Sequence, residues 1–432
     1  MAQAAHNRLL HKPYYGGHLF GCSGARILMY LRVHSGSVLR CALHAAHRSG
    51  FLKKSNLDVC GEMAPSAPQL RLVDTIRGVG REAWNACFPG ELEHYDYLLA
   101  AEEAGLQGFA LRYAVLEQDG RVLVCMPAFF MDYSLATTLE GAPKRFIRWL
   151  QNYFPRFLVL KLACLGSPVT ECGYAGFHPA VAESERAAWL RLLLAGFHRQ
   201  AVRQGFRLIG VRDVPAWQKP LWDKVAFPLG FRPLPSMPTA ALDIDFNSID
   251  EYLLRLGSET RKDMRRKFKM LSHLRIEQRA NIDDILPQIH RLYLDTRHRG
   301  DFEFEELTPQ YFSGVLKHMG MQAHCTLYYA GDRLLAANLM LKDRRRLLDK
   351  FFCMDGTEGR RYHLYFLSWF TNVQYCLDHG IARYQSGQAG YAAKRRLGSA
   401  FAPNWLMFRH ANPLLNGLLR MIAPLLAMGD DA

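Results

Sequence analysis

Residues 384–398, YQSGQAGYAAKRRLG, combine residue types that suit contact with an anion. Glycines let backbone N–H groups approach a ligand closely, and cations beside them favour a negatively charged one. Here Lys394, Arg395 and Arg396 follow the glycine-rich part. The spacing is neither that of a P-loop nor that of a GxGxxG turn, and residues 386–390 could instead form a simple β-bulge. The pattern predicts a site for a phosphate-bearing ligand, with the bulge as the alternative.

A second candidate is the segment GSETRKDMRRKFKML, residues 257–271. Between residues 261 and 269 it carries six cations and one acid. On a helix these cations would cover more than one face, so that some could meet a ligand while others stay in water. The alternative is a solvated helix face held by ion pairs between residues four apart.

Two series of elements, in the same order, would position these segments. β-Branched and aromatic runs around a DG or GD turn predict hairpins, and apolar residues at helical spacing before a glycine predict helices. The first series is a hairpin over 108–131, a helix over 184–205, a strand over 206–214 and a turn and strand over 227–246. The second is a hairpin over 324–343, a strand over 345–355, a helix over 362–380, a strand over 381–390 and a turn and strand over 395–410. A duplicated unit explains this order, although α/β chains reuse few element patterns.

The chain therefore divides into four parts. These are a basic, poorly structured segment over 1–62, a first domain over 63–243, a second domain over 244–410 with the candidate site, and an apolar tail over 411–432.

Three of these boundaries carry their own expectations. Met63 is the expected native start, and a targeting peptide upstream of it is the alternative. A helix over 248–274 would open the second domain behind a capping box formed by Ser248 and Glu251. The tail predicts a C-terminal helix that docks on the core or lies on a membrane surface.

Composition narrows the class of protein. The formal charge of +14, from 54 Lys and Arg against 40 Asp and Glu, favours anionic partners such as nucleic acid, acidic lipid or nucleotide-like substrates. The ten cysteines form no CxxC pair and no Cys/His cluster with zinc spacing, which predicts reduced thiols, a cytoplasmic protein and no metal site. No GxSxG elbow is present, so the sequence offers no serine hydrolase motif.

At this point the sequence resembles a known family. The stretch CLDHGIARYQSGQAGYAAKRRLGSAFAPNWLMFRH is similar to the C-terminal motif of the FemAB-like N-acyltransferases of the GNAT superfamily. The segment LLRLGSETRKDMRRKFKML resembles the basic first helix of their second domain. The resemblance covers about 240–410 and, more weakly, 70–240. It implies an α/β, or mixed α+β, fold of two tandem GNAT-like domains, each a mixed, mostly antiparallel sheet flanked by helices.

The resemblance also implies an activity. This is transfer of an acyl or aminoacyl group from acyl-CoA or aminoacyl-tRNA to an amine of a small molecule or cell-envelope precursor, without a metal and without specific DNA binding. By matching position it assigns the donor to the residues of the turn and of the basic helix. Gly387, Gln388, Gly390 and Lys394 match the turn, and Arg261, Arg265 and Arg266 match the helix. Gln385, Tyr391 and Arg395 beside the turn are further expected binding residues. Lys394 would hold a phosphate or stabilise an oxyanion.

The general base is the open question, because Gln385 stands where relatives often have Glu and Ala393 where they often have His. Asp349 in LLDKFFCMD is one candidate, with a salt bridge or an exposed strand position as the alternative. Glu303 in RGDFEFEEL is another, in an acidic loop that could instead be solvated or form an acceptor subsite.

A second reading of function stays open as well. A catalytically idle tandem GNAT module could use residues 257–269 and 394–396 to bind RNA or an acidic membrane surface. In either case the sequence predicts a cytoplasmic protein, with the C-terminal helix as the expected point of any peripheral contact with the inner face of the membrane.

Overall fold

The computed structural model describes residues 66–134, 141–154, 159–300 and 304–426. The expectations for 1–62 lie outside these residues. We refer to residues 66–243 as the first half and to residues 244–426 as the second half.

The described strands join into one sheet. The first half contributes β1 (Gln69–Val73), β2 (Ala110–Gln118), β3 (Arg121–Ser134), β4 (Val159–Leu165), β5 (Gly176–Phe177), β6 (Leu208–Pro215) and β7 (Arg232–Asp243). The second half contributes β8 (Arg275–Arg279), β9 (Ala323–Ala330), β10 (Arg333–Lys342), β11 (Arg346–Met354), β12 (Arg383–Gly387) and β13 (Ala400–His410).

The order of the strands shows how the halves are joined. It runs β1-β2-β3-β4-β6-β13-β7-β12-β11-β10-β9-β8, with β5 on β3. Among the described strands, β4 with β6 and β11 with β12 are parallel pairs, and the other pairs are antiparallel. The last strand of each half has crossed over, because β7 pairs with β12 and β13 pairs with β6. This exchange makes the backbone of each half part of the other half's sheet.

Helices cover both faces of the sheet. The first half contains α1 (Arg81–Cys87), α2 (Tyr95–Ala104), α3 (Gly141–Tyr153), α4 (Arg186–Arg203) and α5 (Lys219–Ala226). The second half contains α6 (Ile249–Arg255), α7 (Ser258–Phe268), α8 (Leu286–His298), α9 (Pro309–Met319), α10 (Glu358–Arg361), α11 (Leu364–His379), α12 (Tyr391–Arg396) and α13 (Pro413–Leu426).

Three apolar clusters hold these layers together. One cluster joins α1 and α2 of the first half to α8 and α9 of the second. A second cluster lies under α4 and α5, and a third lies under α6, α7 and α11. Burial of apolar area is the main favourable term in folding, so the first cluster stabilises the contact between the halves as well as each half.

The predicted elements are largely present, with two corrections in their extent. The helix predicted over 248–274 is broken into α6, α7 and a short 3-10 turn, because the backbone of Leu256 and Gly257 is extended. Its capping box is confirmed, since the side chain of Ser248 accepts a hydrogen bond from the N–H of Glu251. The helix predicted over 362–380 begins at Leu364 and ends at Gly380 in the left-handed conformation.

The C-terminal helix α13 contacts β13 and β7. The side chain of Asn416 on this helix accepts a hydrogen bond from the N–H of His410 at 2.9 Å. None of the described helices combines the length and the apolar character that a membrane crossing requires.

Candidate active site

A cavity of about 460 Å³ lies where the two halves meet. The first half lines it with residues of the loop that follows β4 and with Arg212 of β6. The second half lines it with β11, the glycine turn after β12, and α12. The residues that line the cavity include Glu171, Arg212, Asp349, Lys350, Gly387 and Lys394.

The parallel pair β11 and β12 explains why a cavity opens here. The two strands are paired from Arg346 and Arg383 as far as Leu348 and Gln385. Beyond that point β11 continues to Met354, whereas β12 ends at Gly387. The strands therefore separate just before Asp349. The antiparallel pairing of β12 with β7 is also irregular between Gln385 and Gly387, so the β-bulge considered from the sequence is present.

The glycine turn has a backbone that most residues cannot adopt. Gly387, Ala389 and Gly390 have φ values of 75°, 76° and 67°. A Cβ on Gly387 would lie 3.2 Å from Oε1 of Glu171 and 3.3 Å from the carbonyl oxygen of Asp349. A positive φ at a non-glycine residue such as Ala389 is uncommon and costs free energy, so the surrounding contacts must hold the turn in place.

Gln388 and Lys394 supply those contacts. The side-chain N–H groups of Gln388 donate to the carbonyl of Met237 at 2.9 Å and to that of Glu171 at 3.3 Å. The ammonium of Lys394 is buried and donates to the carbonyls of Ser386 at 2.6 Å and Gly387 at 2.8 Å. Burial lowers the pKa of Lys394 to about 8, against the attraction of Asp349 and Glu171. Two of the three ammonium donors are thus committed to the turn.

Asp349 lies on β11 at the floor of the cavity, as one of the predicted catalytic residues. Its carboxylate accepts hydrogen bonds from the hydroxyl of Tyr384 at 3.0 Å and from the side-chain amides of Asn338 at 3.2 Å and Asn372 at 3.4 Å. Burial raises the pKa of Asp349 to about 6, although these hydrogen bonds act in the opposite direction. The position is neither an exposed strand site nor a surface salt bridge.

Glu171 is a functional candidate that the sequence did not reveal. It lies in the loop after β4, is buried, and accepts a hydrogen bond from the side chain of Gln385 at 2.6 Å. Burial raises the pKa of Glu171 to about 7, with Lys350 acting against the shift and Glu93 adding to it. No motif marks this residue in the sequence. Only the packing of this loop against β12 brings it to Gln385, 214 positions away.

Lys350 and Glu93 form a buried ion pair beside these carboxyl groups. The ammonium of Lys350 also donates to the carbonyl of Val169 at 2.8 Å and lies 4.9 Å from the centre of the Tyr97 ring. Burial alone would lower the pKa of Lys350, but Glu93 and Glu171 outweigh it and raise the pKa. The cation therefore stays charged and ties the first half to the second.

Arg212 brings a second cation to the cavity from β6. Its Nε donates to Asp213 at 2.5 Å, and its guanidinium lies 4.7 Å from the centre of the Phe304 ring. Glu305 faces the same region, and burial raises the pKa of Glu305 against the attraction of Arg212. The cavity thus combines carboxyl groups that can take up a proton with cations that remain charged.

The predicted residues divide into two groups. Asp349, Gly387, Gln388, Gly390 and Lys394 line the cavity. Gln385 reaches it through its hydrogen bond to Glu171, whereas the hydroxyl of Tyr391 donates to the carbonyl of Pro238 and Arg395 stacks on Phe401. Glu303 lies outside the described residues.

The arginines of α7 are not among the residues that line the cavity. Hydrogen bonds from Arg396 join this helix to the region of the glycine turn, because Arg396 donates to Asp263 at 2.8 Å and to Thr260 at 3.1 Å. Asp263 also binds Lys267 and Arg266. Arg261 donates to the carbonyl of Leu254, and Arg265 is exposed. The helix and the region of the turn therefore share an ion-pair network through Arg396 and an apolar cluster through Met264, but the arginines of α7 do not line the cavity.

No group of three or more His, Cys, Asp or Glu side chains with metal-binding geometry occurs within the described ranges.

Comparison with known proteins places this site in a family. A sequence profile of the FemAB-like family, described as peptidoglycan biosynthesis and recognition, matches residues 75–422. Because the match spans most of the chain, the protein belongs to the FemAB-like family. No curated protein matches the sequence significantly.

The crystal structure of FemX shows the same fold, and two further solved structures are similar at lower TM-scores. The crystal structure of FemX is similar with a TM-score of 0.51 and 14% identity, over 84% of this chain and 100% of FemX. A tandem GNAT protein from the clavulanic acid biosynthesis pathway gives a TM-score of 0.48 and 14% identity, over 80% of this chain and 99% of that one. L-PGS from Bacillus licheniformis gives a TM-score of 0.41 and 10% identity, over 63% of this chain and 86% of that one.

The predicted fold class and family resemblance are thereby confirmed. The family membership supports a transferase role connected with peptidoglycan. The position of the domain boundary near residue 244 stays a prediction.

Proposed function

We propose that the protein transfers an acyl or aminoacyl group to the amine of a cell-envelope precursor, and that the cavity between the two halves is the active site. The observation that carries the proposal is that two carboxyl groups from different halves, those of the half-buried Asp349 and the buried Glu171, line the same cavity. Their pKa values of about 6 and about 7 suit proton transfer near neutral pH.

Acyl transfer needs the attacking amine in its neutral form. Asp349, or Glu171 in its ionised form, takes the proton from the amine as its nitrogen attacks the carbonyl carbon of the donor. The tetrahedral intermediate then collapses, the bond to the donor breaks, and the leaving thiol or ribose hydroxyl takes up a proton. A carboxyl group with a pKa near the working pH can first accept and later return that proton.

The carbonyl oxygen of the donor becomes negative during this step. Backbone N–H groups at the separation of β11 and β12, together with Lys394, are the proposed stabilisers. In this role Lys394 acts beside the turn that it also holds in place. Positioning of the two reactants in one cavity supplies a further part of the rate enhancement.

Both acyl-CoA and aminoacyl-tRNA remain proposed donors, and both carry phosphates. In this proposal the reacting carbonyl of the donor lies in the cavity of about 460 Å³ and the phosphates lie outside it. The exposed cations of α7, including Arg265 and Arg266, are proposed to meet them there. Peripheral contact of α13 with a membrane likewise remains a proposal.

The test is a direct search for product. The purified protein would be incubated with acyl-CoA thioesters or charged tRNA and with amines that include peptidoglycan precursors, and the products would be identified by mass. We expect one donor to support transfer and Asp349→Asn to reduce the rate about 100-fold or more. Asp332→Asn is the matched control, because Asp332 is exposed at a hairpin turn.

The contradicting result is equally clear. If no donor gives product, while tRNA still raises the melting temperature of the protein and Asp349→Asn does not change that rise, the chain is an anion-binding module. Equal loss of activity in Asp349→Asn and Asp332→Asn would show that the cavity is not the active site.

A further inference from the structure

The connection between β3 and β4 contains a helix with an unusual surface. Phe146, Trp149 and Tyr153 of α3 are three and four residues apart, which places them on one face of the helix. They are 60%, 53% and 67% exposed, and Phe154 just after the helix is 62% exposed. Soluble monomers rarely leave so much aromatic surface together in water without an interaction partner.

The aromatic side chains form a continuous stripe. The ring centres of Phe146 and Trp149 are 6.0 Å apart, and those of Trp149 and Tyr153 are 5.3 Å apart. Ile147 is buried on the inward side, and the side chain of Gln151 donates to Ser134 at 2.9 Å. The helix thus has a side fixed to the protein and an opposite side that carries the aromatic stripe.

The charge of this part of the chain indicates which surface the stripe meets. Between Glu140 and Glu171 the sequence contains no acidic residue. The cations in that interval are Lys144, Arg145, Arg148, Arg156 and Lys161. Basic residues that flank a face of Trp, Tyr and Phe are typical of helices that lie in the headgroup region of anionic membranes.

A second exposed apolar surface belongs to α13. Leu414, Leu415 and Met421 on this helix are exposed. Leu419, on the inward side of the same helix, packs in a cluster with Tyr133 near the end of β3 and Leu160 near the start of β4. These are the strand ends that α3 connects, so both helices emerge from one edge of the fold.

The same cluster reaches the cavity. Phe304 packs in it, with its ring 6.1 Å from that of Phe129, and Phe304 also lines the cavity. Apolar contacts therefore run from the base of α3 to the site that is proposed to carry out transfer.

We propose that α3 docks the protein on an anionic lipid bilayer, with the rings of Phe146, Trp149 and Tyr153 in the headgroup region and the exposed Arg145 on anionic lipid. The helix of thirteen residues lies in the interface and does not cross it. This docking does not depend on the proposed transfer reaction.

The test is flotation of the full-length chain with vesicles of phosphatidylcholine alone or mixed with phosphatidylglycerol. We expect binding to the anionic vesicles that weakens as salt is raised, because the cations of this segment contribute through screened attraction. The variant Phe146→Ser/Trp149→Ser/Tyr153→Ser should bind about tenfold or more weakly. Trp217→Ser is the matched control, because Trp217 is another exposed tryptophan, on the loop after β6, and its loss should leave binding unchanged.

Further measurements keep the result decisive. Circular dichroism and the melting temperature must show that the triple variant is folded. If the triple variant is not folded, two other measurements replace it. The first is vesicle binding by Arg145→Glu. The second is quenching of tryptophan fluorescence by brominated lipid, which should quench the wild type and should be mostly lost in Trp149→Phe. The proposal would be overturned if the folded triple variant bound anionic vesicles as tightly as the wild type. If the triple variant is not folded, it would be overturned if Arg145→Glu bound as tightly as the wild type and Trp149→Phe left the quenching unchanged.

Two other outcomes identify a different occupant. If sedimentation shows a dimer that the triple variant dissociates, and no vesicle binding is found, a second copy of the chain covers α3. If the protein binds RNA through α3 and does not bind vesicles, the basic residues of this segment contact nucleic acid and the membrane proposal is wrong. If the triple variant no longer binds vesicles but still transfers the acyl group to a soluble amine at the wild-type rate, α3 serves membrane docking and is not needed for the transfer reaction.

Discussion

The glycine turn with its flanking residues, 383–396, and the basic helix α7 both have sequences that predict contact with an anion. In the structure, however, the two segments have different surroundings. The turn lines the cavity and its residues contact both halves of the protein. Of the cations of α7, Arg266 and Lys267 pair with Asp263, Arg261 donates to the carbonyl of Leu254, and Lys262 and Arg265 are exposed. Three cations hold the pKa of Asp263 at about 2, chiefly through its hydrogen bond with Lys267.

The difference shows what makes a segment a candidate site. A run of cations can be satisfied locally, since residues three and four apart on one helix pair with each other. A turn with three positive φ values needs support from distant residues, because such a backbone is costly by itself. The four predictions below test whether the turn and its cavity respond to substitution more strongly than α7 does.

The largest effect is expected at the buried ion pair. Lys350→Met leaves the Glu93 side chain, which is only 9% exposed, without its cation, and we expect the free energy of unfolding to fall by about 3–5 kcal/mol. Arg266→Met removes a pair whose arginine is 73% exposed, so the loss should be less than about 1 kcal/mol. Urea denaturation of both variants measures the two values. Similar losses in the two variants would contradict the contrast between cavity and helix.

The next effect is a fall in the stability of the protein as the pH rises, caused by the raised pKa of Glu171. Its pKa is raised in the folded protein from 4.5 to about 7, so the folded state holds a proton that the unfolded state releases. The stabilisation is complete below pH 4.5 and is lost as the pH rises through 7, by about 3 kcal/mol in all.

Chemical denaturation between pH 5 and 8 checks this dependence. The wild type should lose stability across the range, and Glu171→Gln should lose about 3 kcal/mol less because the amide does not titrate. Identical pH profiles for the two proteins would mean that Glu171 titrates normally.

A smaller effect is expected from glycine substitution. Gly387→Ala places a methyl group within 3.3 Å of two oxygen-bearing groups at a φ of 75°, and we expect a destabilisation of about 1–2 kcal/mol. Gly257→Ala at the start of α7 meets no heavy atom within 4 Å at a φ of −55°, so its effect should stay within about 0.5 kcal/mol. The melting temperatures of Gly387→Ala and Gly257→Ala measure the two effects. An equal fall in melting temperature for both variants would contradict our account of the turn.

The smallest effect concerns α7 itself. Arg265→Ala/Arg266→Ala should raise the KM for the acyl donor about three- to tenfold with kcat unchanged, because these exposed cations are proposed to meet phosphates far from the reacting atoms. Steady-state kinetics with each donor measure both parameters. A fall in kcat as large as that of Asp349→Asn would place α7 in the active site.

Much of the local structure follows from sequence patterns. The hairpins turn at Asp119-Gly120 and Gly331-Asp332 as predicted, and the helix before β12 ends at Gly380. Strand β4 was missed, because its residues lie in a stretch over 132–183 that carried no recognised pattern. The broken helix at Leu256 was also missed, since its apolar spacing continues across the break.

The strand exchange lay beyond such patterns. Either β7 or β13 could pair with β6 or with β12, because alternating apolar residues fit any neighbour of the sheet. The choice follows from how the two halves pack as whole bodies, through α2 and α9 among others.

The sequence by itself determined the types of residue in the glycine turn, the turns and caps of the local elements, and the family to which the chain belongs. Only the tertiary structure decided that Glu171 lies beside Gln385, that Asp349 is half-buried at the cavity with a raised pKa, and that the arginines of α7 stay outside the cavity. The reason is physical. Local periodicity reports which residues are apolar along one element, whereas pKa values and site membership depend on burial and on charges brought close by residues far away in the chain.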